Sequence, residues 1–179
     1  MLSMVPSWNA MHPLVVHFPI ALLLVTPLLI VCSVICPAQR TAFGLSALLL
    51  MGVGTLGAAV AVATGNAASE LATRSPQVAR ALENHEELAE STRMVFALLT
   101  GVFAAIVIAP LLRGRSWPSG IYAALIGVFL VVYSGGALLL VNTAHQGGRL
   151  VHQLGVHAPV AAYPQSTART AGANAGNRK

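Results

Sequence analysis

The sequence predicts an all-α fold, a four-helix transmembrane bundle whose third helix extends out of the bilayer. Of the 179 residues, 56% are hydrophobic and only 8% are charged, whereas a soluble domain carries roughly 25% charged residues. Four apolar runs are long enough to cross a bilayer, which takes about 20 residues. Because lipid offers the backbone no hydrogen bonds, each run must be a helix.

The four spans follow one another through residues 14–35, 42–64, 94–112 and 120–143. We expect His12 to cap the first helix, with Pro13 in the first helical position. Pro19 and Pro27 lie inside that span and should kink it. Residues 36–41 and 113–119 form short connections, whereas the connection at 65–93 is longer and polar.

The domain organisation follows from these spans. Residues 1–11 form an N-terminal segment without Lys or Arg, so we expect no cleaved signal peptide. Residues 12–160 form one transmembrane domain, and residues 161–179 form a disordered polar tail.

The segment Gly52–Gly57 matches the G-x-G-x-x-G pattern of dinucleotide-binding proteins. It lies inside an apolar helix, without the preceding strand that such a site needs. We interpret it as a surface for close helix packing, with Gly127, Gly135 and Gly136 of the fourth span as the matching surface.

Four crossings bring the two termini and the 65–93 connection to one side of the membrane. That side holds all 6 histidines and all 5 acidic residues. The other side holds Arg40, Arg113 and Arg115 in short loops, so the positive-inside rule favours a cytoplasmic location for it. Four arginines oppose this orientation: Arg74, Arg80, Arg93 and Arg149. We expect a bacterial cytoplasmic membrane protein with its termini and histidines in the periplasm.

An apolar stripe at helical spacing runs through residues 77–96 and includes Val78, Leu82 and His85. The third helix is therefore expected to begin near Pro76, well before the bilayer. His85 belongs to the buried stripe, and the neighbouring glutamates lie off it.

Three histidines on three helices are expected at one level of the bundle. Counted from the opposite helix ends, His12, His85 and His145 lie at between about 36 and about 40 Å, and His17 lies about 7 Å deeper. Imidazoles are ligands of haem iron, copper and zinc. We therefore predict cofactor binding by His12, His17, His85 and His145, with His17 the favoured ligand of the first helix. A metal site of His12, His85 and His145 is the alternative to haem.

Two motifs and His85 resemble the bacterial membrane family called domain of unknown function 2231. The motifs are H-P-L-V-V-H-F-P-I-A-L from His12 and T-A-H-Q-G-G-R-L-V-H-Q-L-G-V from Thr143. The resemblance covers roughly residues 10–160. It implies a four-helix membrane domain in a redox context, because some members are linked to c-type cytochrome domains or regarded as haem-binding. The residues to which the resemblance assigns the family's motif positions are His12, His17, His85, His145, Gly147, Gly148, Gly155 and Val156.

His152 stands where that family often has an aromatic residue, so we do not expect it to be a ligand. Gly147 and Gly148 are expected to end the fourth helix. Residues 150–154 would then fold back over the histidines as a lid.

The leading functional hypothesis is electron transfer by a b-type haem held between two histidines, because the c-type attachment motif C-x-x-C-H does not occur. The alternatives are a copper or zinc protein and a non-catalytic assembly subunit with structural histidines. No catalytic motif indicates an enzyme, and the scattered basic residues do not indicate nucleic-acid binding. The expected partners are membrane lipid and a separate cytochrome or other redox protein, and a homo-oligomer is left open.

Overall fold

A computed structural model describes residues 11–70 and 75–156. It contains α1 (His12–Val15), α2 (His17–Ile35), α3 (Arg40–Ser69), α4 (Pro76–Leu112) and α5 (Ser119–His152). Because α1 and α2 form one continuous span, four helical spans are long and apolar enough to cross a membrane. The all-α prediction with four spans is confirmed. Apart from Met11, the predicted N-terminal segment and polar tail lie outside the described ranges.

The helices form a bundle in which each one packs against its neighbours in the chain. α2 contacts α3 and α5, and α4 contacts the same two helices. α2 and α4 therefore lie on one diagonal of the bundle. α1 packs on α2 and α3, so side chains of α1 and α4 can meet across the bundle axis.

Large side chains from all four spans fill the centre of the bundle. Leu23, Met51, Phe96 and Tyr133 are buried, and the rings of Phe96 and Tyr133 meet edge to face with their centroids 5.5 Å apart. The outer surface is also apolar, and its most exposed large side chains include Leu28, Leu56, Leu98, Val131 and Leu138. An apolar surface of this extent matches a lipid environment, in which such side chains are favourably placed.

α4 begins at Pro76, as predicted, and Ser75 caps it by accepting a hydrogen bond from the Val78 amide at 3.3 Å. With 37 residues, α4 is about 55 Å long, while the hydrocarbon core of a bilayer is about 30 Å thick. α5 is nearly as long and continues to His152. The predicted lid is therefore wrong, because residues 147–152 belong to the helix.

Two prolines inside the helices leave backbone carbonyls without their usual amide donors. Pro27 removes the amide that would bond to Leu23, and the Tyr133 hydroxyl donates to that carbonyl at 2.6 Å. Pro110 does the same at Ile106, whose carbonyl accepts from the indole nitrogen of Trp117 at 3.0 Å. Side chains from other parts of the chain thus replace two helical hydrogen bonds.

Replacement of Tyr133 by phenylalanine is expected to lower the free energy of unfolding by about 1–3 kcal/mol, because it leaves the Leu23 carbonyl buried and unpaired. Tyr122→Phe is the matched control. The Tyr122 hydroxyl bonds to Ser33 Oγ at 2.8 Å, and Ser33 also donates to the Ile30 carbonyl. This control should cost about 0.5–1 kcal/mol. Unfolding of the purified protein in mixed micelles measures both, and equal losses would contradict the proline argument.

Glycines allow α3 to approach the first span closely. A Cβ atom at Gly54 would lie 2.9 Å from the side chain of Leu23, and one at Gly57 would lie 3.3 Å from Pro19. The packing interpretation of the glycine motif is thereby confirmed for these positions. The predicted matching surface on the fourth span is wrong: Gly136 packs against Leu99 of α4, and the glycines of α3 meet the first span.

Candidate functional site

His12 begins α1, and its ring packs against α3. Its Nδ1 lies 2.9 Å from the Ala61 carbonyl oxygen and 3.3 Å from Thr64 Oγ1. Because a carbonyl oxygen can only accept, Nδ1 carries a hydrogen and Nε2 keeps its lone pair in the neutral ring. Met11 occupies the N-cap position instead of His12. The half-buried ring is thus held by α3 and does not cap its own helix.

Gly65 allows this approach of the His12 ring. A Cβ atom at Gly65 would lie 3.1 Å from His12 Cε1, which is closer than carbon atoms pack comfortably. α3 therefore provides both the hydrogen-bond acceptor that orients the His12 ring and the surface on which the ring lies.

His85 occupies the corresponding position on α4, two turns before Thr92. A Cβ atom at Gly147 would lie 3.0 Å from His85 Cε1, so the ring lies against the backbone of α5. The His85 Nδ1 is buried and has no hydrogen-bond partner among the described residues. Buried polar atoms normally have a partner, so this nitrogen requires an explanation.

The structure brings His12 and His85 together. Their rings lie within electrostatic range of each other, and both are half-buried at the same end of the bundle. They come from the two diagonally opposed spans, while α3 and α5 each present a glycine to one of the rings. Histidines that two diagonally opposed spans contribute to one end of a bundle are the kind of arrangement from which bundle proteins build cofactor sites.

His17 does not join this pair. Its side chain is exposed, and its Nδ1 donates to the Pro13 carbonyl at 2.9 Å, one turn back on its own span. His17 is two residues from the buried Pro19, which corresponds to a rotation of about 200° around the helix. The ring therefore faces outward, and His12 is the residue of this motif that faces the bundle.

His145 also lies on an exposed face. It is two residues from both Thr143 and Gly147, which face α4, and so it lies on the opposite side of α5. His152 is exposed as well, and His157 lies outside the described residues.

No three His, Cys, Asp or Glu side chains in residues 11–70 and 75–156 are placed to hold a metal ion together. The structure therefore does not assemble His12, His85 and His145 into one metal site. Among the acidic residues near His85, Glu83 and Glu87 are exposed and the adjacent Glu86 is half-buried, while Glu90 pairs with Arg93 on the same helix.

Threonines form a polar layer next to the histidine pair that the sequence analysis did not identify. Thr92 and Thr143 join α4 to α5 through a hydrogen bond of 2.8 Å between their hydroxyls, and both also interact with the Leu88 carbonyl. Thr64 contacts His12 from α3. The sequence feature that could have revealed Thr64 is the spacing of small residues, since Ala58, Ala61 and Thr64 continue one buried stripe along α3.

No curated protein and no solved structure matches this chain. A family model matches residues 9–160, and its description is predicted membrane protein (DUF2231). The match covers both predicted histidine motifs and all four helical spans. The chain therefore belongs to the DUF2231 family of predicted membrane proteins.

Proposed function

We propose that this protein is an integral membrane electron carrier that binds one b-type haem through His12 and His85. The observation that supports the proposal is the pairing of these two rings from diagonally opposed spans. His12 has Nε2 free of hydrogen bonds to the described chain, while its Nδ1 is fixed by Ala61. His85 has a buried ring nitrogen without a partner. Neutral imidazoles with an available nitrogen are suitable axial ligands for haem iron.

The residues around the pair fit such a group in three respects. His12 and His85 lie against Gly65 and Gly147, where an added Cβ atom would come within 3.1 Å and 3.0 Å of the respective rings. The Ala61 carbonyl provides an acceptor for the ring N–H of His12, and such partners orient ligating histidines. The apolar bundle limits access of water. When bound, the haem would supply reversible one-electron transfer.

The proposal assigns no ligand role to His17 and His145, because both face outward. They serve as matched controls: each is a histidine at the same end of the bundle, on the same span as His12 or on the helix next to His85. Replacement of either by alanine should leave the buried pair intact.

The test is a reduced-minus-oxidised visible spectrum of protein purified after expression with added haem precursor. The unsubstituted protein should show the spectrum of a six-coordinate b-type haem. His12→Ala and His85→Ala should each lose most of the bound haem, while His17→Ala and His145→Ala should retain it. Absence of haem from the unsubstituted protein would overturn the proposal, as would equal losses in all four variants.

Copper is the second candidate, and one observation favours it. The unpartnered nitrogen of His85 is Nδ1, and copper is bound readily by either imidazole nitrogen. A structural zinc site takes four protein ligands, which the described residues do not provide around this pair. Metal analysis of the same four variants separates copper from haem. Histidine variants that lose stability without loss of any cofactor would instead support a structural assembly subunit.

We place the histidine end in the periplasm of a bacterium, because Arg40, Arg113 and Arg115 lie in the short connections at the other end. The electron partner is a separate redox protein that approaches the histidine end. The protein acts as a carrier and not as an enzyme. A homo-oligomer would be compatible with this role.

A further inference from the structure

We propose a second binding site, for the phosphate group of an anionic phospholipid, at the end of the bundle opposite the histidines. A cavity of about 260 Å³ opens there between the start of α3, the end of α4 and the start of α5. Arg40 and Arg115 line it together with Trp117. The site is independent of the histidine pair and of its cofactor.

Arg40 is the central residue of this cavity. Its guanidinium lies 4.6 Å from the centre of the Tyr122 ring, and it donates to the Trp117 carbonyl and to Ser119 Oγ, each at 3.1 Å. Its Nε is buried and has no hydrogen-bond partner among the described residues. The side chain is thus held in place by neutral groups while one donor and the full positive charge are left without a counterpart.

No acidic residue compensates this charge. The described carboxylates, which belong to Glu70, Glu83, Glu86, Glu87 and Glu90, all lie toward the histidine end of the bundle. Arg115 adds a second positive charge at the cavity. A buried or half-buried arginine is normally paired, so the missing partner is an anion from outside the chain. Arginine binds phosphate oxygens with particular geometric specificity.

The rest of the lining indicates a lipid as the source of the phosphate. Ile106, Val107 and Leu111 contribute apolar side chains to the lining of the cavity. Trp117 is an aromatic residue of the type that concentrates at the level of lipid headgroups. A group with an anionic head and an apolar remainder matches both halves of this lining.

The test is native mass spectrometry of the detergent-purified, delipidated protein titrated with phosphatidylglycerol, phosphatidylcholine or inorganic phosphate. We expect saturable binding of phosphatidylglycerol, tighter than that of phosphatidylcholine. Arg40→Gln should weaken it about tenfold, the effect of one charged hydrogen bond. Arg113→Gln removes the same charge from the same end, but Arg113 does not line the cavity. This control should bind normally.

Arg115→Gln provides a variant that does not threaten the fold, because Arg115 is exposed, and it should weaken binding to a smaller extent. If inorganic phosphate competes with the lipid in an Arg40-dependent manner, the site recognises the phosphate alone; without competition, it requires the lipid. Equal losses in the Arg40 and Arg113 variants would overturn the proposal. Equal binding of the two phospholipids would overturn it as well.

Discussion

If His12 and His85 bind haem as proposed, replacement of Gly147 by valine is expected to weaken that binding at least about tenfold, the range seen when the support of a metal ligand is lost. The ring of His85 lies directly against this glycine, and even a Cβ atom would come within 3.0 Å of its Cε1. The valine side chain must therefore displace the ring toward His12 or force α4 away from α5. Either movement takes the His85 ring away from the position in which it could bind the haem together with His12.

Gly148→Val is the control for this substitution. It places the same side chain in the same turn of α5, but a Cβ atom at Gly148 meets nothing within 4 Å. The loss of glycine flexibility and the change in helix propensity are therefore matched. Haem titration of the two apoproteins measures the difference. Wild-type haem affinity in the Gly147 variant would show that His85 does not hold the cofactor from its position against α5.

Replacement of Gly54 by leucine is expected to lower the free energy of unfolding by about 2–3 kcal/mol, a typical cost of overpacking a core. A Cβ atom at this position would lie 2.9 Å from Leu23, whose side chain is 0% exposed. Leu23 cannot move aside without disturbing the buried residues around it. The substitution therefore pushes α3 away from α2, the pair of helices with the most extensive contact in the bundle.

Gly52→Leu is the matched variant within the same glycine motif. A Cβ atom at Gly52 has nothing within 4 Å, so the leucine side chain can extend without a clash. It should change the free energy of unfolding by less than about 0.5 kcal/mol, as is usual away from packed sites. Unfolding in mixed micelles compares the two variants. Similar stability of both proteins would mean that α2 and α3 do not depend on this close contact.

The sequence allowed the heights of the histidines to be predicted better than their orientations. Height follows from counting residues along a helix, but orientation requires knowing which face of the helix is buried. In lipid, the outer face of a span is as apolar as the core, so hydrophobic periodicity gives little information. His17 and His145 were therefore predicted as ligands although they face outward. His85 was placed on the correct face because α4 extends beyond the bilayer and carries polar residues on its outer faces.

Gly147 shows a different limit of sequence reasoning. Glycine ends helices because it adopts positive φ, and it also occurs inside helices where another group approaches closely. The sequence alone does not separate these roles. In the structure, the glycine with positive φ after the end of α5 is Gly155, at φ +64°, whereas Gly147 lies inside α5 against the ring of His85. Because Gly147 lies inside the helix, α5 continues beyond its predicted end. Gly147 forms one side of the candidate site.

The hydrogen bond from Tyr133 to Leu23 has a consequence for the order of assembly in the membrane. The two residues are separated by 110 positions, so α2 enters the bilayer long before its partner has been synthesised. Until α5 arrives, the Leu23 carbonyl lacks a donor in a solvent that provides none. The first span is therefore incomplete as an independent helix. The last span supplies the missing donor, so the first span becomes fully hydrogen-bonded only after the final helix has been inserted and has packed against it.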